Sequence, residues 1–188
     1  MLRNFLSFIF ELIKLAVICA VIVIPIRYFL IQPFYVKGAS MEPTFHTSEY
    51  LIIDEISYRL GEPNRGEVIV FRYPRNPQEY FIKRIIGLPG ETIEIKDGDV
   101  YIYNREYEQG MLLEEEYLGE ASRTYAPGSD DRVELEDNEY YVLGDNRNSS
   151  KDSRNFGPVQ ESFIVGKVLF RGWPFNKAGF FKEPQYEL

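Results

Sequence analysis

Apolar residues follow one another almost without interruption up to about residue 32, and beyond that point they alternate with polar ones. Residues 12–31 read LIKLAVICAVIVIPIRYFLI. A helix of about 20 such residues rises about 30 Å, roughly one bilayer hydrocarbon core. Lys14 and Arg27 interrupt the run near its ends, where long side chains reach the headgroups. Pro25 falls near the far end, where a kink costs least. Only 15–26 is free of charge, which alone is short for a span. We expect residues 1–31 to hold a short leading segment and one transmembrane helix. A cleaved signal peptide is disfavoured, because no small-x-small site closely follows the apolar core. A buried or interfacial helix is the remaining alternative. Arg3 and Lys14 precede the core while Arg27 and Lys37 follow it, so the positive-inside rule hardly orients it.

Alternation after Gln32 predicts strands at 51–56, 67–73, 80–86, 91–96, 99–103, 139–143 and 163–170. Lys96-Asp97-Gly98-Asp99 has the chemistry of a tight hairpin turn, and Leu88-Pro89-Gly90 of another sharp turn. No helix of ordinary length is predicted between 32 and 188. The fold class is therefore mainly β, antiparallel and partly coiled, with 32–188 as one domain. Residues 104–131 break the pattern, being glutamate-rich around the apolar Met111-Leu112-Leu113. We expect a solvated surface excursion there, with those three residues as an alternative contact for membrane or partner.

Composition adds exclusions. Hydrophobic residues make up 45% of the chain, too many for a disordered one. A net charge of −8 with no concentrated basic stripe argues against a nucleic-acid partner. Cys19 is the single cysteine, so no intrachain disulfide forms. Within its apolar run it is expected to be a buried small hydrophobe. One histidine and one such cysteine make a poor metal-ligand set, and no metal or cofactor is expected.

Two segments hold candidate chemistry. In Gly38-Ala39-Ser40-Met41-Glu42-Pro43 a serine follows small residues, where backbone approaches a ligand closely, and Pro43 stiffens the chain beyond. A serine nucleophile needs a base. In Tyr80-Phe81-Ile82-Lys83-Arg84-Ile85-Ile86, strand alternation puts Lys83 between Phe81 and Ile85 on one face. Arg84 lies between Ile82 and Ile86 on the other. The ordinary alternative is that one face is exposed and its cation merely solvates it. A buried lysine, unlike an arginine, can instead be made neutral. Reaching a pKa of about 8 takes roughly 3 kcal/mol of differential interaction. His46, with Asp145 or Asp152, is the alternative base. Composition does not decide between the two.

Three segments together resemble the bacterial type I signal peptidases, which use a Ser-Lys dyad. They are Ser40-Met41-Glu42-Pro43-Thr44, then Lys83-Arg84-Ile85-Ile86-Gly87-Leu88-Pro89-Gly90-Glu91, then Gly144-Asp145-Asn146-Arg147-Asn148-Ser149-Ser150-Lys151-Asp152-Ser153-Arg154-Asn155-Phe156-Gly157. The resemblance runs from the apolar segment to about Pro174. It implies a coiled antiparallel catalytic domain of signal-peptidase type, with Ser40 as nucleophile and Lys83 as general base. It implies that Ser150 helps orient the lysine and that Asp145, Arg147, Asp152, Ser153 and Arg154 brace the site, with an Asp152–Arg154 ion pair. Arg84 is expected to serve packing or hydrogen bonding. Where some members carry a serine that helps the oxyanion, this chain has Gly38. The Ser40 amide remains a donor, and we expect a serine at 38 to be tolerated. Residues 104–131 stand where some relatives carry a long second domain.

The resemblance further implies cleavage of signal peptides from exported preproteins after small-x-small sites, through an acyl-enzyme. It implies a single-pass protein of the bacterial cytoplasmic membrane with its catalytic domain outside, whose partners are preproteins, the lipid bilayer and the export machinery. Phe170-Arg171-Gly172-Trp173-Pro174-Phe175 is expected either at the headgroups, which favour Trp, or in the core. A self-cleaving Ser-Lys regulator and a silent β module binding exported chains are the competing readings.

Overall fold

The computed structural model describes residues 2–29, 31–119, 122–125, 132–184 and 186, with backbone alone at 2–4, 6, 22–29 and 31. Helix α1 (Leu2–Phe29) leads into β1 (Ile31–Tyr35), β2 (Tyr50–Asp54), the short helix α2 (Ser57–Leu60), β3 (Val68–Tyr73) and β4 (Asn76–Gly87). Strands β5 (Thr92–Lys96), β6 (Asp99–Tyr103), β7 (Met111–Leu112), β8 (Arg132–Glu134) and β9 (Glu139–Leu143) follow. The chain ends with α3 (Ser153–Phe156), β10 (Val159–Gln160), β11 (Ile164–Trp173) and β12 (Gly179–Phe180).

The strands form two sheets in which every pairing is antiparallel. The larger runs β1-β2-β11-β3-β4-β9-β10, with β12 on β11, and the smaller runs β7-β6-β5-β8. Mainly β architecture was legible in the alternation. The hairpin predicted at 96–99 joins β5 to β6, with Lys96 facing Asp99. Strand β1 was not predicted, because Pro33 and the preceding apolar run hide it. As an edge strand it tolerates a proline that an interior strand would not.

Strand β4 lies inside the larger sheet, between β3 and β9. Three apolar clusters surround it. One gathers Val36, Met41, Phe45, Leu51, Val68 and Val70. A second gathers Ile69, Phe71, Ile85, Tyr140 and Val142. The third joins Ile86 and Leu143 of the larger sheet to Ile93, Ile102 and Leu113 of the smaller. The second half of β4, Lys83–Gly87, is thus covered on both faces, while Asn76–Tyr80 is exposed.

The excursion departs from expectation. Leu113 and Thr124 are buried, Met111 packs on the third cluster, and only Leu112 of the apolar trio is exposed. Part of the segment therefore lies inside the domain rather than on its surface; residues 120–121 and 126–131 are outside the described residues. The tail divides between the two expectations. Arg171 lies over the buried Phe45 and pairs with Glu49, while Trp173 and Phe175 stack edge to face at 4.7 Å and are both exposed.

Helix α1 presents Phe5, Phe8, Leu12, Ile13, Leu15, Val17 and Val21 exposed. Cys19 is exposed as well, contrary to the expected burial, because the helix stands away from the three clusters. Among the described residues no helix is long and apolar enough to cross a membrane. Much of the span predicted at 12–31, namely the side chains of 22–31, lies outside the described residues.

Candidate active site

The loop from Val36 to Glu49 is tied at its base by Val36 N–H to Glu49 O and by Ser48 N–H to Val36 O. Within it, Met41 and Phe45 are buried, and Phe45 N–H closes a turn on Met41 O. Apolar anchors thus follow Ser40 while Ser40 itself faces a cavity of about 650 Å³. Phe34, Leu51, Val70, Tyr80 and Ile82 line that cavity with Lys83 at its wall. Gly38 takes φ 90°, a conformation that L side chains rarely adopt, although a Cβ there would meet nothing within 4 Å. Serine at 38 would fit the space but strain the backbone, which corrects the expectation of easy tolerance.

Lys83 is 3% exposed and Arg84 is 1% exposed, so neither cation solvates a face. Lys83 Nζ lies 2.8 Å from Ser40 Oγ and donates to the Ile82 carbonyl at 2.7 Å. Among the described residues no acid pairs with it directly. Burial pushes its pKa down to about 8, against the opposing pull of Asp152 and Asp145. Arg84 behaves otherwise. Its Nε and Nη2 donate to Asp145 at 2.9 and 2.6 Å, and its Nη1 donates to the Gly66 carbonyl at 2.8 Å. Tyr117 covers the guanidinium with its ring centroid 4.0 Å away.

The third motif segment folds back on the serine loop. Asn146 N–H donates to the Ser40 carbonyl at 3.0 Å and its side-chain amide to the Ala39 carbonyl at 3.1 Å. Asp145 accepts from Thr44 Oγ1 at 2.5 Å. Asp152 caps α3, pairs with Arg154 at 2.8 Å and accepts from Gly144 N–H at 3.0 Å. Ser153 Oγ accepts from Val142 N–H at 2.9 Å. The predicted Asp152–Arg154 pair is present.

Ser150 differs from expectation. Its hydroxyl is buried with no hydrogen-bond partner among the described residues, and the bonds of Lys83 go to Ser40 and Ile82 instead. It presses on Gly144, where an added Cβ would sit 2.1 Å from Ser150 Oγ and 2.5 Å from Ser40 O.

His46 does not assemble the alternative constellation. Its Nδ1 lies 3.3 Å from Glu42 on a half-exposed turn, while Asp145 and Asp152 are engaged by Arg84 and Arg154. Sequence reasoning missed two groups. Thr44 stood in the quoted motif without a role. Glu115 was submerged in the acidic run 114–116, where nothing local distinguishes it, yet it pairs with Arg147 at 2.5 Å.

Residues 9–173 match the protein family described as signal peptidase, peptidase S26. The chain is 40% identical over 174 residues to a probable signal peptidase I-2 of Synechocystis sp., covering 90% of this chain and 75% of that protein. It is 35% identical over 169 residues to signal peptidase I of Bacillus licheniformis, covering 89% and 90%. A crystal structure of a signal peptidase I from Enterococcus faecalis aligns at 35% identity and TM-score 0.46, covering 57% of this chain and 97% of that one.

Proposed function

The chain belongs to the S26 signal peptidases and is a serine endopeptidase of type I, and from that premise we propose that it removes signal peptides from exported preproteins with Ser40 as nucleophile and Lys83 as base. One observation carries the dyad: a buried amine without an acid in contact, 2.8 Å from a hydroxyl that opens on an apolar cavity.

The chemistry follows from the amine's protonation state. With a pKa of about 8, roughly a tenth of Lys83 is neutral at pH 7, against less than about 0.1% for an ordinary lysine. Neutral Nζ takes the Ser40 proton as Oγ attacks the scissile carbonyl. The Ser40 N–H is placed in the sequence to stabilise the resulting oxyanion. Collapse transfers the Lys83 proton to the leaving amine and leaves an acyl-serine. Neutral Lys83 then deprotonates the attacking water, and collapse of the second tetrahedral intermediate breaks the acyl–Oγ bond as Lys83 returns the proton to Ser40. Ser150, buried beside Gly144 without a partner, is read as the hydroxyl that steadies Lys83 when its bond to Ser40 is broken. Asp145, Arg147, Asp152, Ser153 and Arg154 hold the backbone that grips Ala39 and Ser40.

A preprotein segment would lie extended in the cavity, pairing by backbone with an exposed strand edge, with small residues at alternate positions as the resemblance implies. We further propose the division into an anchor, 1–31, and an extracytoplasmic peptidase domain, 32–188. The exposed apolar side chains of α1 between Leu12 and Val21 support it, since such a surface is favoured against a nonaqueous partner. Trp173 and Phe175 would then meet the headgroups. The enzyme would be a single-pass protein of the bacterial cytoplasmic membrane, where anchoring raises the effective concentration of preproteins held in the same bilayer and brings it beside the export machinery.

The decisive experiment incubates a preprotein panel with wild-type enzyme and with Ser40→Ala, reading product termini and acyl adducts by mass spectrometry. Cleavage after small-x-small sites and an adduct on Ser40 are expected. An adduct on another serine, or cleavage by Ser40→Ala, would refute the assignment.

A further inference from the structure

Arg147 is held from two directions. Its guanidinium is fully enclosed, and Glu115 accepts both ends of the fork, from Nη1 at 2.6 Å and from Nη2 at 2.5 Å. Thr124 Oγ1 accepts from Nη1 as well, and Tyr117 OH lies 3.3 Å from Nη2. All three partners come from the segment between β6 and β8. The remaining nitrogen, Nε, points the opposite way and donates to the Gly144 carbonyl at 3.2 Å.

Gly144 opens the turn that grips the serine loop. Arg147 N–H bonds the Asp145 carbonyl, and Asn146 between them binds both Ala39 O and Ser40 O. The contact is tight, for a Cβ on Gly144 would overlap the Ser150 hydroxyl and the Ser40 carbonyl. A shift of Arg147 therefore moves the turn, and a shift of the turn moves the Ser40 backbone relative to Lys83, which sits on the interior strand β4 between β3 and β9. An enclosed guanidinium holds one position only while its counter-ion and hydrogen bonds are complete. Glu115 is the sole carboxylate bonded to it among the described residues.

We propose that Glu115 is a positioning residue for the Ser40–Lys83 dyad, acting through Arg147 and the 144–147 turn. The inference rests on the dyad reading above. It gives the 104–125 segment a part in catalysis without contact to substrate. The acidic side chain serves as an internal strut that sets the distance between hydroxyl and amine.

The test compares wild type, Glu115→Gln, Glu115→Asp, Arg147→Gln and the double variant Glu115→Gln/Arg147→Gln in the full chain. Readouts are kcat and KM on a small-x-small peptide, the rate of Ser40 acylation by a reactive acyl inhibitor, and near-ultraviolet circular dichroism. Folded Glu115→Gln should lose roughly ten- to a hundredfold in kcat and acylation rate, with KM nearly unchanged. Glu115→Asp, which keeps the charge on a shorter arm, should fall between. The double variant should be no slower than the worse single one, as coupled residues are non-additive. Wild-type kcat in folded Glu115→Gln, a loss confined to KM, or additive losses would overturn the strut. Should Glu115→Gln fail to fold, Glu115→Asp decides, and an unchanged kcat in it overturns the proposal. Wild type that neither cleaves nor acylates would instead remove the dyad reading itself.

Discussion

Lys83 and Arg84 are adjacent on β4, both enclosed, and the fold treats them in opposite ways. On the cavity side, Lys83 touches a hydroxyl and a carbonyl and meets no acid directly. On the opposite face Arg84 has Asp145, and elsewhere Arg147 has Glu115 and Arg154 has Asp152, each within 2.8 Å. An enclosed charge without a partner loses its hydration and gains nothing in return, so it sheds its proton if it can. An enclosed arginine cannot shed its proton, so it must be paired. The cavity side therefore carries a base at some cost in stability, and the paired side holds that base in place.

The largest effect should come from removing the unpaired amine. Lys83→Met keeps the apolar stem and should lower kcat by about 10⁴-fold or more, as with loss of other dyad or triad members. In wild type, kcat/KM should rise with pH through about 8, where Lys83 becomes neutral. That limb should be missing from the residual activity of the mutant. A peptide-cleavage pH profile on both proteins checks this, and a retained limb would mean that another group is the base.

Next comes the paired side. Asp145→Asn leaves Arg84, 1% exposed, without its carboxylate. Breaking such a pair typically costs roughly 3–5 kcal/mol, and here Thr44 Oγ1 also loses a charged acceptor. Urea unfolding should register a loss of this order. A change well under 1 kcal/mol would erase the distinction between the two sides.

The same contrast predicts a gain of stability on the cavity side. The folded-state pKa of Lys83 lies below its ordinary 10.5. Between about 8 and 10.5 the unfolded chain binds the extra proton, so wild-type stability rises with pH in that window and the burial penalty is complete below it. The shift corresponds to about 3 kcal/mol. Lys83→Met should therefore be more stable than wild type at pH 7 by up to that amount, with the difference shrinking toward pH 10.5. Denaturant melts at both ends of the window test the sign. A mutant less stable at pH 7 would indicate that burying the charged Lys83 amine carries no such cost.

How far these two sides could be foreseen depended on what each residue shows to its neighbours in sequence. Alternation along 80–86 placed Lys83 among apolar residues, and that local fact was enough to suggest a depressed pKa. The resemblance supplied Ser40 as its partner, 43 positions away, which no local pattern contains. The same alternation set Arg84 between Ile82 and Ile86, but it did not tell that both faces, rather than one, are enclosed. The pairing of Arg147 spans 32 positions and joins it to one glutamate among three consecutive ones. Which of them turns inward is decided by the path of the chain after β7. Strand β1 was hidden for a related reason: its membership in a sheet is defined by β2, not by its own pattern.

The smallest predicted effect concerns the rim of the cavity, where backbone and not charge is at issue. Gly38 has open space around its Cβ position yet holds φ 90°. Gly38→Ser therefore meets no steric neighbour, and its cost is conformational, about 1–2 kcal/mol for an L residue forced to positive φ. Thr47 Oγ1 donates to the Gly38 carbonyl at 2.9 Å, which resists relaxation of the loop. If the serine keeps the glycine's backbone, thermal unfolding shifts down by a few degrees while the pH limb near 8 stays in place, because Lys83 and its surroundings are untouched. If the loop instead relaxes to negative φ, Ser40 moves with it and kcat falls without a matching loss of stability. The ratio of the two losses thus measures how rigidly the paired side holds the nucleophile: a stability loss with kcat preserved means a firm grip, and a kcat loss with stability preserved means that the grip on Ala39 and Ser40 is weaker than the hydrogen bonds from Asn146 imply.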